Sequence, residues 1–259
     1  MTDLVLIERA GAIATVVLNR PAKLNAFTKA MWRNLGAAID ALSADDAIRC
    51  IIVRGAGEKA FSPGNDISEF ATERSNQSQA IEYGAIMHAT VAAFERCRHP
   101  LVAQIHGICV GGGMEIAVLC DLRICGASSR FGAPIKNLGL VMAHCEMAPL
   151  VRLVGSDVAL EILLEGRIID AAEAKDKRLV TRVMPDDQVA AEALATAGRI
   201  VAGAPLAARW HKKFANRLRD PAPLTDAERL EAFECFDTED FQIGYRAFLA
   251  KQRPGFVGR

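Results

Sequence analysis

The stretch Ile105-His106-Gly107-Ile108-Cys109-Val110-Gly111-Gly112-Gly113-Met114-Glu115 constrains this chain more than any other part of it. It reads as a strand that runs through glycines into a helix. At such a junction the first helical N–H groups lack intrahelical partners and point outward with the positive end of the helix dipole, which suits an anion or a developing oxyanion. Glu115 falls in the first helical turn, close to those groups. Close helix packing would also use three glycines, and an acid in a first turn gains from the dipole alone. Taken alone, the stretch leaves a packing role and an anion-binding role equally open.

A second loop shifts that balance. Gly55 to Asn65 is rich in glycine and polar residues and closes with Ser62-Pro63-Gly64-Asn65-Asp66-Ile67, a composition that tolerates unusual dihedrals. It follows the apolar run Cys50–Val53, which reads as a buried strand. Two loops of this kind can aim two backbone donors at one carbonyl oxygen.

Short strands are expected at Leu4–Glu8, Ile13–Asn19, Cys50–Val53, Leu101–Ile105, Leu122–Cys125 and Thr181–Met184. Helical spacing predicts a helix from Thr28, which can cap it, to Leu42, and a long one over Ser78–Arg98, stopped by His99-Pro100. Gly107–Gly113 reads as a loop, and further helices are expected at Met114–Cys120, Met147–Leu153, Val158–Leu164 and Ala171–Lys177. From Asp187 onward the pattern is almost wholly helical, with a break at Pro221–Pro223 and one last helix from about Asp226 to Lys251. The pattern predicts an α/β or α+β fold, with a core over residues 1–200 and a helical region over 201–259, and leaves the topology open.

Lys+Arg and Asp+Glu both total 31, so no global field draws nucleic acid or an anionic membrane, and an anionic ligand must be held locally. No aromatic-basic stripe of an RNA binder is present. The seven cysteines include no C-x-x-C pair and, most of them lying among apolar residues, read as buried free thiols, for which a reducing cytoplasm is the simplest compartment. The opening MTDLVLIERAGA lacks the basic and apolar regions of a secretory signal. Leu101 to Cys120 is apolar over about the 20 residues a membrane span needs. His106, the three glycines and Glu115 argue instead for a strand, a turn and a buried helix. The histidines show no metal-ligand spacing, and neither a G-x-S-x-G elbow nor a G-x-G-x-x-G dinucleotide fingerprint occurs.

Asn19-Arg20-Pro21 through Asn25-Ala26, then Gly64-Asn65-Asp66-Ile67, then Gly111-Gly112-Gly113-Met114-Glu115 resemble motifs of the crotonase superfamily, the enoyl-CoA hydratase/isomerase family, in order and spacing. The resemblance extends to Cys120-Asp121-Leu122-Arg123, Phe131-Gly132-Ala133-Pro134 and the terminal Phe248 to Phe256, and so covers essentially the whole chain. It implies a crotonase-type spiral of ββα units with a helical C-terminal trimerisation region, assembled as a homotrimer or as a hexamer made of two trimers. It also implies an acyl-CoA thioester substrate and no tightly bound cofactor, coenzyme A being part of the substrate. By the family pattern the N–H groups of Asn65 and Gly112 form an oxyanion hole and Glu115 is catalytic. Ser62, Gly64, Asp66 and Ile67, with Lys23, would line coenzyme A. Ile135 would stand in the acyl pocket, and Phe248 and Lys251 would approach the ligand, in many members across a subunit boundary.

The chain departs from that pattern in two neighbouring stretches. Crotonase-type hydratases carry a second glutamate just after the Pro of Phe-Gly-x-Pro, and here the chain reads Pro134-Ile135-Lys136. The glycine-rich turn that follows is replaced by Met142-Ala143-His144-Cys145-Glu146. An enoyl-CoA hydratase-like lyase ranks first because Glu115 is retained. Isomerisation with Glu115 alone, a helper drawn from Glu146 or His144, and acyl-CoA binding without turnover stay open. His144 and Glu146, adjacent polar residues at a helix start, are expected to cap that helix or to be solvated.

Overall fold

Strand and helix alternate along the chain in the computed structural model, which describes residues 3–259. Strands β1 (Val5–Ala10) and β2 (Ile13–Leu18) form an antiparallel hairpin, Val5 opposite Leu18. Helix α1 (Lys29–Ala44) follows, its first turn capped by the Thr28 side chain, which accepts from Met31 N–H. Next come β3 (Cys50–Gly55), β4 (Ala60–Ser62), the single turn α2 (Phe70–Glu73) and the long α3 (Gln77–Arg96). The central segment is β5 (Leu101–Ile105), β6 (Ile108–Val110) and α4 (Gly112–Leu119), then β7 (Leu122–Gly126), β8 (Arg130–Gly132), α5 (His144–Val154) and α6 (Ser156–Glu165). The chain continues through β9 (Ile169–Asp170), α7 (Ala171–Asp176), β10 (Arg182–Met184) and α8 (Val189–Val201). It ends in α9 (Pro205–Arg217), α10 (Asp226–Glu231) and α11 (Glu239–Leu249).

The strands sort into two sheets. The larger runs β1-β2-β3-β5-β7-β10, parallel from β2 onward, and the smaller runs β4-β6-β8-β9. Each pass of the chain therefore leaves one strand in the large sheet, one short strand in the small sheet, and then a helix. That is the spiral of ββα units the sequence resemblance implies. The small sheet escapes the sequence pattern, and the stretch read as a loop over Gly107–Gly113 contains β6 and the first two residues of α4.

The large sheet is covered on both faces, which is why its strands are nearly continuous apolar runs. Ile51, Val53, Leu101, Ala103 and Ile105 point into the main core beside Trp32, Leu35 and Phe94. The alternate residues Cys50, Ile52, Val102 and Ile124 meet Val189, Ala193 and Ala197 of α8. Burial at this density supplies roughly 25 cal/mol per Å2 of apolar surface. Leu101 to Cys120 is broken into β5, β6 and α4, and among the described residues no single helix is long and apolar enough to cross a membrane.

The expected last helix is not continuous. Glu234–Asp237 is a 3-10 turn, and Thr238 turns extended to cap α11, its side chain accepting from Phe241 N–H. A second helix start thus competes with continuation of the first. Five of the cysteines are buried and all are unpaired, but Cys145 is exposed on α5 and Cys235 is half-buried.

Candidate active site

Asn25 and its neighbours shape the first loop. The buried Asn25 amide donates to Ala60 O at 2.9 Å and Ala56 O at 3.1 Å, and its Oδ1 accepts from Arg20 N–H at 3.1 Å. Arg20 in turn pairs with Asp66 at 3.0 Å. Phe27 donates its N–H to Gly64 O at 2.8 Å and accepts from Asp66 N–H at 2.7 Å. These bonds make Phe27 and Asn65 bridge partners in which the peptide groups on either side of Asn65 are engaged and its own N–H points away from Phe27. Among the described residues, nothing accepts from that N–H.

The second loop meets the first edge-on. Gly111 N–H is used by Gly132 O at 2.9 Å, and the first helical bond of α4 is Glu115 N–H to Gly111 O at 2.9 Å. Gly112, the first residue of α4, therefore has a free N–H, as its place in the helix requires. The approach is so close that side chains do not fit. A Cβ on Gly64, whose φ is +99°, would lie 2.9 Å from Gly112 N, and one on Gly113 would lie 2.2 Å from Ser62 O. Trp32 spans the pair, donating Nε1–H to Asn65 Oδ1 at 2.7 Å and packing its ring against Gly112. Two free backbone donors thus sit on abutting, rigidly backed loops.

Glu115 stands one turn into α4 and is 7 % exposed, with Oε2 buried and unpaired. Burial, followed by the charge of Glu146, pushes its carboxyl up to about 8, against a smaller opposing pull from Arg74. A buried carboxyl that keeps its proton near neutral pH is suited to give and take protons. Glu146 lies in the first turn of α5, where its Oε2 accepts from Ala143 N–H at 3.1 Å while Oε1 meets His88 Nε2 of α3 at 3.1 Å. It caps the helix, as expected, and also reaches Glu115 with its charge. His144 is exposed.

A model of the family described as enoyl-CoA hydratase/isomerase matches residues 8–259. The chain belongs to the enoyl-CoA hydratase/isomerase family. It is 33 % identical over 258 residues to a short-chain-enoyl-CoA hydratase of Clostridium acetobutylicum, with 98 % of each chain covered. It is 31 % identical over 261 residues to a crotonyl-CoA hydratase of Syntrophomonas wolfei, again with 98 % of each covered. Its fold superposes on the crystal structure of an enoyl-CoA hydratase/carnithine racemase from Magnetospirillum magneticum with a TM-score of 0.98, at 50 % identity, covering 100 % of this chain and 97 % of that one. The crotonase fold expected from the motifs is therefore the fold of this chain.

Within this family member the expected site residues fall into two groups. Asn65, Gly112, Gly64, Ser62 and Glu115 come together around the abutting loops. Ser62 is fully buried and holds the loop from behind, its Oγ accepting from Gly64 N–H at 3.1 Å. Asp66 is committed to Arg20 and Ser68, and the Ser68 hydroxyl, with Arg20, holds its carboxyl below the usual range. Lys23 and Ile67 are exposed, and Ile135 is half-buried against the main core. Phe248 is 83 % exposed on α11 and Lys251, just beyond it, is also exposed, so the described residues enclose neither. Sequence reasoning passed over His88, Arg74 and Trp32; the partners of His88 and Trp32 lie 58 and 33 residues away along the chain, while Arg74 stands between the rings of Phe70 and Tyr83, close by in sequence.

Proposed function

We propose that this chain is an acyl-CoA lyase that adds water across the C2–C3 double bond of an enoyl-CoA thioester. The observation that carries the reading is the buried, unpaired Glu115 carboxyl in the turn that begins with the free Gly112 N–H, against the loop that offers Asn65 N–H. Two fixed donors strengthen as charge gathers on the thioester oxygen, so they favour the enolate over the substrate. The names of the relatives, short-chain-enoyl-CoA and crotonyl-CoA hydratases, support the same reaction.

In this reading Asn65 and Gly112 hold the thioester oxygen. Glu146, its two oxygens already accepting from His88 and Ala143, takes a proton from water as the water oxygen bonds to C3. The double-bond electrons pass to the thioester oxygen, and Glu115 protonates C2 as the enolate collapses. Proton return from Glu146 to Glu115 resets the site. Glu146 thus supplies the carboxylate that Ile135 cannot, which favours hydration over isomerisation by Glu115 alone.

Coenzyme A, as part of the substrate, would run along the Ser62–Ile67 loop, with Ser62 and Gly64 shaping it, Asp66 bracing it, and Lys23 and Ile67 at its lip. Ile135 would border the acyl chain. The residues after 200 would form an assembly region, since Leu230, Phe233, Phe236 and Leu249 leave apolar surface exposed. Within a homotrimer, or a hexamer of two trimers, Phe248 and Lys251 would reach a neighbouring subunit's ligand. Seven unpaired thiols suit the reducing cytoplasm.

The experiment is loss of the conjugated-thioester absorbance of crotonyl-CoA in water with purified protein. Loss that tracks enzyme concentration supports hydration. Coenzyme A binding without any loss would leave an acyl-CoA-binding protein.

A further inference from the structure

Arg74 has no part in the proton transfers proposed for Glu115 and Glu146. It ends α2, and its guanidinium lies 4.9 Å from the centre of the Phe70 ring and 4.8 Å from that of Tyr83. Its Nη1 is buried and, among the described residues, has no hydrogen-bond partner, which is unusual for a cation. The acids that flank it in sequence are engaged elsewhere. Glu69 Oε2 accepts from Tyr83 OH at 3.0 Å and Lys29 N–H at 2.9 Å, and Glu73 pairs with Lys29 Nζ at 2.8 Å.

The position is at the acyl end of the site. Tyr83 and Met87 are about one turn apart on α3, roughly 6 Å along its axis. Met87 Sδ receives the Asn65 amide at 4.0 Å, and the next residue, His88, meets Glu146. The charge of Arg74 also reaches Glu115, where it opposes the rise in that group's proton affinity. A cation near the proton-transferring carboxyl stands by the reacting carbons rather than by the phosphates of coenzyme A.

Resting on the acyl-CoA reading, we propose that Arg74 is a specificity residue that pairs with a carboxylate at the far end of the acyl chain, so that the preferred substrates are enoyl-CoA esters of dicarboxylic acids. A guanidinium clamped between two aromatic faces has little freedom left to lose, and its unused N–H groups match a carboxylate in the two-point geometry arginine favours. A neutral alkyl chain would leave the buried Nη1 unpaired, so the site discriminates by what it fails to satisfy as well as by what it binds.

The test is titration calorimetry of saturated acyl-CoA pairs matched in length, glutaryl-CoA against pentanoyl-CoA and adipyl-CoA against hexanoyl-CoA. These chains have no double bond to hydrate, so the result does not depend on turnover. The expected outcome is that one dicarboxylic ester binds at least about tenfold more tightly than its neutral partner. That ratio should fall toward one in Arg74→Gln and be partly kept in Arg74→Lys, with circular dichroism showing folded variants. A ratio near one in the unaltered protein, or one that survives Arg74→Gln, overturns the inference. If the ratio holds but crotonyl-CoA and carboxylated enoyl-CoA esters are not hydrated, the reaction assignment falls and this inference stands. If no acyl-CoA binds, both fall.

Discussion

Glu146 Oε1 lies 3.1 Å from Nε2 of His88, and the charge of this helix-capping residue raises the proton affinity of the Glu115 carboxyl. With a carboxylate as partner, Nε2 carries the hydrogen, so the histidine holds the acid without taking its lone pairs out of reach. Glu146→Gln should therefore lower crotonyl-CoA hydration by about 100-fold or more, the scale of a lost general base. Steady-state kinetics would check this, with coenzyme A affinity as the control. Unchanged kcat would return the chemistry to Glu115 alone.

A pH dependence follows from Glu115. Its carboxyl is raised from 4.5 to about 8, chiefly by burial and then by the charge of Glu146. Between those values the folded chain holds a proton that the unfolded chain has released, so stability is full below the lower value and is lost as pH climbs toward 8. Full ionisation costs on the order of a few kcal/mol. Glu115→Gln removes the titration, so the variant should melt close to the unaltered protein near pH 5 and several degrees above it beyond pH 8. A gap that does not change with pH would mean that the carboxyl is not raised.

The abutting loops make a sharp demand at Gly64. Alanine there would strain a backbone at φ +99° and set its methyl 2.9 Å from Gly112 N, over the donor. Masking one such donor costs roughly 3–4 kcal/mol of transition-state stabilisation. Gly64→Ala should lose about 100-fold or more in kcat while circular dichroism keeps its helix signal. Near-normal turnover in the folded variant would remove Gly112 N–H from the mechanism.

The large sheet and the two loops were legible in the sequence because burial on both faces writes long apolar runs, and because glycines mark close backbone approach. Leu101–Ile105 and the Thr28 cap appear as read. The small sheet was not legible. Ala60–Ser62, Arg130–Gly132 and Ile169–Asp170 are too short for alternation to register, and they are strands only because each finds an edge supplied by a distant part of the chain. The break near Glu234 did have a signal, the capping Thr238, which a continuous helical pattern concealed. Glu146 was legible both as a cap and as a candidate helper for Glu115, whereas its contact with His88, 58 positions away, was not. Arg74 had only a faint mark in the sequence, the aromatic Phe70 one helical turn before it, because its second aromatic wall, Tyr83, comes from the packing of α2 against α3.

The central claim is that Glu115 passes a proton to an enolate held by the backbone of Asn65 and Gly112. Proton NMR of crotonyl-CoA incubated in deuterium oxide, with the unaltered protein and with Glu115→Gln, tests it most directly. The account predicts 3-hydroxybutyryl-CoA carrying one deuterium at C2, formed about 100-fold or more slowly by the variant while coenzyme A affinity stays within a small factor. Product formed at equal rates by both proteins would contradict it.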